Sequence, residues 1–167
     1  MIAGVSSPEK AEIALKAGAD AVLIYPRQLE GVEAIRALSQ QIKTLCGGDG
    51  VDVVYDSLGG AYSEAALRAM ARYGRLLVIG FVAGIPKVPT NLILLKSCQL
   101  VGVSYGSLTK QDSLGHHDIC KALIALYQRH IIRPHITARF PLERGGEAIS
   151  LLETRQAIGK IVVDVQS

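Results

Sequence analysis

Short apolar runs alternate along the chain with segments whose apolar residues recur every three or four positions. Runs of the first kind suit strands buried on both faces and the second suit helices packed over them, so the alternation predicts an α/β fold with a parallel sheet. Ile2-Ala3-Gly4-Val5 reads as a buried strand feeding a helix that begins near Pro8, with Ser6 or Ser7 as cap and Gly18 as stop. Ala21 to Tyr25 reads as a short strand closed by Pro26, and Ile35, Leu38, Ile42 and Leu45 mark an amphipathic helix ended by Gly47-Gly48. Val51 to Asp56 is the next strand, followed by the turn Ser57-Leu58-Gly59-Gly60 and a helix from about Ala61 to Arg72.

The pattern repeats with strands at Arg75 to Phe81 and Gln99 to Tyr105, joined through a short helix near Asn91 to Lys96. Three successive strands are thus expected to end in glycine-bearing turns, where ligands of open α/β sheets bind. A polar stretch, Ser107 to His117, precedes a helix predicted from Asp118 to Ile132, with Leu123, Leu126 and Tyr127 suited to packing on the sheet. The tail predicts a strand at Ile136 to Phe140, a helix at Gly145 to Thr154 and a strand at Lys160 to Val165.

Composition narrows the class. The 167 residues are 49% hydrophobic and 20% charged, enough for one substantial core, and no apolar run approaches the ~18 residues of a membrane span. No export signal is expected, because the apolar start lacks a basic leader and a long enough core. Three widely spaced cysteines, Cys46, Cys98 and Cys120, form no C-x-x-C pair, so neither a disulfide framework nor a zinc knuckle is indicated and a reducing cytoplasm is expected. The net charge of +3 is dispersed and not interleaved with aromatics, which argues against nucleic acid and suits a phosphorylated small molecule equally well.

Six blocks carry a resemblance: Ser6-Ser7-Pro8-Glu9-Lys10, Ala17-Gly18-Ala19-Asp20, Val51 to Gly60, Gly74 to Phe81, Ile85 to Asn91 and Gly159 to Val163. In this order and spacing they closely resemble the quinone oxidoreductase branch of the medium-chain dehydrogenase/reductase superfamily. The resemblance implies a doubly wound, Rossmann-like domain of six parallel strands in spatial order 3-2-1-4-5-6, joined to a β-rich substrate domain. The sequence departs from that pattern at its front, where the first strand, its glycine-rich turn and the substrate domain are missing and no G-x-G-x-x-G occurs. The expected fold is therefore an incomplete doubly wound parallel sheet, with residues 1–135 a partial dinucleotide-binding domain. Residues 136–167 would form a segment returning to the substrate domain. The absent strand would lie between those at Ile2-Val5 and Val51-Asp56, so the chain is expected to be a C-terminal piece that does not fold stably or act alone.

The same resemblance implies a site. NAD enzymes usually place a carboxylate at the end of the second strand, whereas here the strand ends Val5-Ser6-Ser7 with Lys10 one turn onward. Ser6, Ser7 and Lys10 could hold a 2′-phosphate, with Tyr25 lining the site, and this favours NADPH over NADH. By the same analogy Ser57 lies near the nicotinamide ribose, Gly80 and Phe81 along the nicotinamide, Val103 and Tyr105 near its carboxamide, and Arg155 near the phosphates. Plainer readings stand beside these: Lys10 as a solvated helix residue weakened by Glu9, the glycines as strand ends, and Arg155 as a helix-dipole partner.

His116 and His117, like His130 and His135, have no ligand-spaced partner, and no catalytic acid, base or metal ligand is assigned. The activity implied is NADPH-dependent hydride transfer to a quinone or an α,β-unsaturated carbonyl. Alternatives are a zinc-dependent alcohol dehydrogenase of the same superfamily and a non-catalytic structural remnant of the fold. Residues 99–105 would be the edge strand, through which similar enzymes pair as homodimers.

Overall fold

The computed structural model describes residues 1–154 and 156–165. By its internal contacts the chain divides into two compact units, Met1–Tyr105 and Gly106–Ser167.

In the first unit the strands are β1 (Ile2–Val5), β2 (Ala21–Ile24), β3 (Val51–Asp56), β4 (Met70–Val78) and β5 (Gln99–Gly102). The intervening helices are α1 (Pro8–Lys16), α2 (Val32–Leu45), α3 (Gly60–Ala69) and α4 (Thr90–Lys96). Serine is the cap expected for α1: extended Ser7 accepts through Oγ from the Lys10 N–H at 3.3 Å, and Pro8 occupies the first turn, where no N–H is needed. α2 buries Ile35 and Leu38 on one face. It ends where Gly47 and Gly48 take positive φ and Gly48 N–H donates to the Lys43 carbonyl at 2.9 Å.

The strands form two parallel sheets. β1 pairs with β2, Ile2 opposite Ala21 through Val5 opposite Ile24, and the other sheet has the order β3-β4-β5. These are the two flanks of a doubly wound sheet; among the described residues no strand joins β1 to β3. Helices hold the flanks together instead. α2 packs on α3, and Leu29, Ile35, Leu38 and Ala65 form a core against which Leu23, Tyr25 and Tyr62 lie. A second core of Leu67, Met70, Leu76 and Cys98 fills the space between the three-stranded sheet and α4, with Val54, Leu92 and Leu100 packed on it.

Several boundaries differ from the expected ones. α3 stops at Ala69 because the chain there presses against the Gly50 turn: a Cβ on Gly50 would stand 2.6 Å from the Ala69 carbonyl oxygen. Met70 then turns extended and pairs with Val51, and the chain bulges through Tyr73, at φ 63°, before Arg75 rejoins the ladder opposite Val53. β4 ends at Val78 rather than Phe81. β5 ends at Gly102, and Tyr105 opens a helix, α5 (Tyr105–Gln111), instead of completing a glycine turn.

In the second unit the polar stretch Ser107 to His117 is largely helical. α6 (Ser113–Gln128) begins five residues before Asp118 because Asp112 caps it, accepting from the Gly115 N–H at 2.8 Å. Leu123 and Tyr127, expected to be covered, are 48% and 58% exposed. β6 (Ile136–Pro141), α7 (Gly145–Glu153) and β7 (Lys160–Asp164) follow, β6 and β7 pairing in parallel as a right-sized crossover unit with Ala148 buried.

Candidate functional site

The carboxyl end of β1 carries a compact polar group. Lys10, half-buried one turn into α1, donates from Nζ to Ser6 Oγ at 3.1 Å. The Ser7 hydroxyl engages the start of α1 and holds the Glu9 carboxyl below the usual carboxylate range, so Glu9 is ionised at neutral pH and opposes part of the lysine's charge. Tyr25 closes β2 alongside: its N–H donates to the Val5 carbonyl at 2.9 Å, and its ring lies over Gly4, where a Cβ would be 3.7 Å away. Ser6, Ser7, Lys10 and Tyr25 therefore share one strand end.

The second group stands at the ends of β3, β4 and β5. The Asp56 carbonyl accepts from Ile79 N–H at 2.8 Å, and the Val78 carbonyl from Val103 N–H at 3.0 Å, so the three tips are tied side by side. Exposed Ser57 and half-buried Gly80 touch across this junction; a Cβ on Gly80 would be 3.3 Å from the Ser57 carbonyl oxygen. Phe81, Val103 and Tyr105 are 51%, 44% and 49% exposed. Arg155 lies outside the described residues.

Tyr62 links the groups. It sits in the first turn of α3, directly after the β3 tip, and its hydroxyl donates to the Pro26 carbonyl at 2.7 Å while its ring meets that of Tyr25 edge-on, 5.3 Å between centroids. The tips of both sheets consequently lie on the same side of the first unit. Two hollows lie away from these tips: about 610 Å³ between β2 and α2, lined by Val22, Leu23, Ala37 and Leu45 among others, and about 440 Å³ beside Arg139 and Asp164.

Two residues that organise the tips were given no role of their own from sequence, although Asp56 was expected at the tip of its strand. Asp56 is buried with its carboxylate turned back over the 57–60 turn, and Tyr62 makes the bridge just described. An aspartate closing an apolar strand three positions before Gly59-Gly60 is a turn signature that could have marked the first; nothing local marks the second.

Comparison with known proteins decides the family. The model of zinc-binding dehydrogenases matches residues 17–163. The chain belongs to the zinc-binding dehydrogenase family. Within this family of medium-chain dehydrogenases/reductases, the chain is 32% identical to quinone oxidoreductase-like protein 2 of Bos taurus, over 99% of the chain and 46% of that protein. It is 33% identical to prostaglandin reductase-3 of Mus musculus, over 99% of the chain and 45% of that protein. A mycobacterial structure complexed with NADPH superposes with a TM-score of 0.79 at 29% identity, covering 97% of this chain and 49% of that one. The chain thus spans about half the length of the relatives it matches, and its paired parallel strands form a partial Rossmann-like fold.

The family's name raises the question of zinc. Among the described residues no three His, Cys, Asp or Glu side chains come together as a metal would require. The donor set of the described residues therefore does not fit a zinc ion. The polar set at the β1 tip does fit a phosphorylated nucleotide, since an ammonium and a hydroxyl converge there on one strand end.

Proposed function

We propose that this chain forms the cofactor-binding portion of an NADPH-dependent reductase that passes hydride to a quinone or an α,β-unsaturated carbonyl. The observation that carries the reading is the Lys10–Ser6 contact at the β1 tip, with Tyr25 beside it and no carboxylate at the position NAD enzymes use for the ribose. Support for the reaction class comes from likeness to quinone oxidoreductase-like proteins and to a 2-haloacrylate reductase, whose structure superposes with a TM-score of 0.78 at 25% identity.

In this reading Lys10 and Ser6 hold the 2′-phosphate, Tyr25 and Ser7 border it, and Arg155 reaches the other phosphates. Ser57 faces the nicotinamide ribose, the Gly80-Phe81 backbone lies against the ring, and the backbone of Val103 and Tyr105 orients its carboxamide. NADPH, when bound, supplies the hydride. The protein's share is to bind, orient and exclude water. Residues 1–135 serve the cofactor and 136–167 return toward a substrate domain. The three cysteines are free, which suits a reducing cytoplasm.

Titration of the protein, together with any coding sequence upstream of Met1, by nicotinamide fluorescence tests the reading. NADPH is expected to bind at least about tenfold more tightly than NADH, the worth of one charge-assisted contact, and Lys10→Met is expected to erase the difference. Equal affinity in the wild type, or tighter NADH, overturns it. Association through β5 is part of the proposal, because among the described residues that strand pairs on one edge, with β4, and its own Leu100 and Val101 are half-buried. Light scattering should report a dimer at micromolar concentration that Val101→Lys disrupts; a monomer in the wild type overturns the pairing.

A further inference from the structure

Asp56 is 7% exposed, and its carboxylate accepts three hydrogen bonds at the tip of β3. Its Oδ1 accepts from the N–H groups of Leu58 at 2.9 Å and Gly59 at 3.0 Å, and its Oδ2 accepts from the hydroxyl of Ser63, itself 1% exposed. The same residue's carbonyl accepts from Ile79 at 2.8 Å and Gly80 at 3.4 Å. Side chain and main chain of one residue therefore grip two segments, the 57–60 turn and the start of the loop after β4.

Those segments are also stitched to each other. Ala83 N–H donates to the Leu58 carbonyl and Gly60 N–H to the Gly84 carbonyl, both at 2.7 Å. The fit leaves no slack: a Cβ on Gly59 would stand 2.4 Å from the Gly84 carbonyl oxygen, and one on Gly60 would stand 2.5 Å from that of Ala83. A buried carboxylate is costly unless its oxygens are satisfied, and here three donors converge on it. Asp56 thus fixes the turn from inside, and the turn in turn fixes the loop that carries Gly80 and Phe81.

We propose that Asp56 is a positioning residue for the nicotinamide half of the cofactor. Its carboxylate holds the Ser57–Gly60 turn, and through it the Gly80–Gly84 loop, in the shape that receives the ribose and ring. The inference rests on the cofactor reading above, but its signature is different: it concerns one half of the ligand. The adenosine half is served by Ser6, Lys10 and Tyr25, on another sheet.

The test compares NADPH with 2′,5′-ADP, which carries the 2′-phosphate and no nicotinamide, on the same protein used for the cofactor titration. Asp56→Ala is expected to weaken NADPH about tenfold, the loss of one or two charge-assisted hydrogen bonds, and to leave 2′,5′-ADP unchanged. Asp56→Asn keeps an acceptor for Leu58 and Gly59 and can donate to Ser63, so it should restore NADPH binding to within about threefold of wild type. A folded Asp56→Ala protein that binds both ligands as the wild type does, or loses both equally, overturns the proposal.

Should Asp56→Ala not fold, Ser63→Ala removes a single contact and carries the test, with an expected loss of about threefold confined to NADPH; an unchanged ratio of the two affinities overturns the proposal. A wild type that binds neither ligand overturns the cofactor reading instead. Amide exchange in the unligated protein then still decides the fixing role: Ser63→Ala should quicken exchange at Leu58 and Gly59, and unaltered rates there refute it.

Discussion

The Tyr62 hydroxyl donates to the Pro26 carbonyl at 2.7 Å, joining two sheets that share no strand ladder among the described residues. A net hydrogen bond contributes about 1 kcal/mol, so Tyr62→Phe is expected to lower unfolding free energy by about that much in urea titration. Tyr62→Ala also removes the edge-on contact with Tyr25 and should cost about 2–4 kcal/mol in the same titration. Equal stability of wild type and Tyr62→Ala would show that the bridge does not hold the sheets.

Gly59 permits an approach that no other residue allows. Its φ is 75° and a Cβ would lie 2.4 Å from the Gly84 carbonyl oxygen, with backbone rather than a flexible side chain in the way. Gly59→Ala is therefore expected to destabilise by roughly 2 kcal/mol or more, from strain and forced backbone movement. Gly18→Ala serves as the comparison, since that glycine shares positive φ but meets nothing within 4 Å, and should cost only about 1 kcal/mol. Thermal unfolding of the two variants reads the order.

Leu67 and Leu76 are 0% and 1% exposed in the core shared by α3, α4 and the three-stranded sheet. Truncation of either to Ala is expected to cost about 2–5 kcal/mol. Leu123→Ala, at an exposed position on α6, should change stability by less than about 0.5 kcal/mol in the isolated chain. Chemical denaturation distinguishes these directly.

Burial and the nearby Asp52 carboxylate push the Cys46 thiol above its ordinary value. The charged form is disfavoured in the folded protein, so at pH 8 less thiolate is present than in a free cysteine and maleimide labelling of Cys46 should be slow. Asp52→Asn is expected to quicken it. The preference for the neutral thiol is held below the ordinary thiol value and lost as pH rises through the raised one, so alkaline solution should destabilise the wild type more than Cys46→Ser.

Regular elements were legible wherever a local signal sufficed. Ser7-Pro8 and Gly47-Gly48 set their helix ends through their own backbone chemistry, and the apolar run of Val51 to Asp56 became β3 as expected. The misplaced boundaries depend on tertiary contact. α3 is cut short by the Gly50 turn, a neighbour from another element, and no helical period reveals that. The start of α6 was legible in principle, since Asp112 caps it through Gly115 only three residues on, but the flanking histidines and serines obscured the signal.

The site divides similarly. The grouping of Ser6, Lys10 and Tyr25 at one strand end was expected from the family resemblance, and the structure brings them together because Tyr25 follows β2 beside Val5 as parallel pairing dictates. Asp56 and Tyr62 act in part through partners that only folding brings near: Ser63 seven positions on, and Pro26 thirty-six positions back.

Among the described residues β1 finds its ladder partner in β2 alone and β3 in β4 alone, which leaves each with a row of amide donors and carbonyl acceptors along its other side. Such rims recruit whatever extended backbone comes within reach. Crowding this chain in a concentrated solution should accordingly draw copies together rim to rim, and a short extended peptide added in excess should compete with that clumping and keep the solution clear.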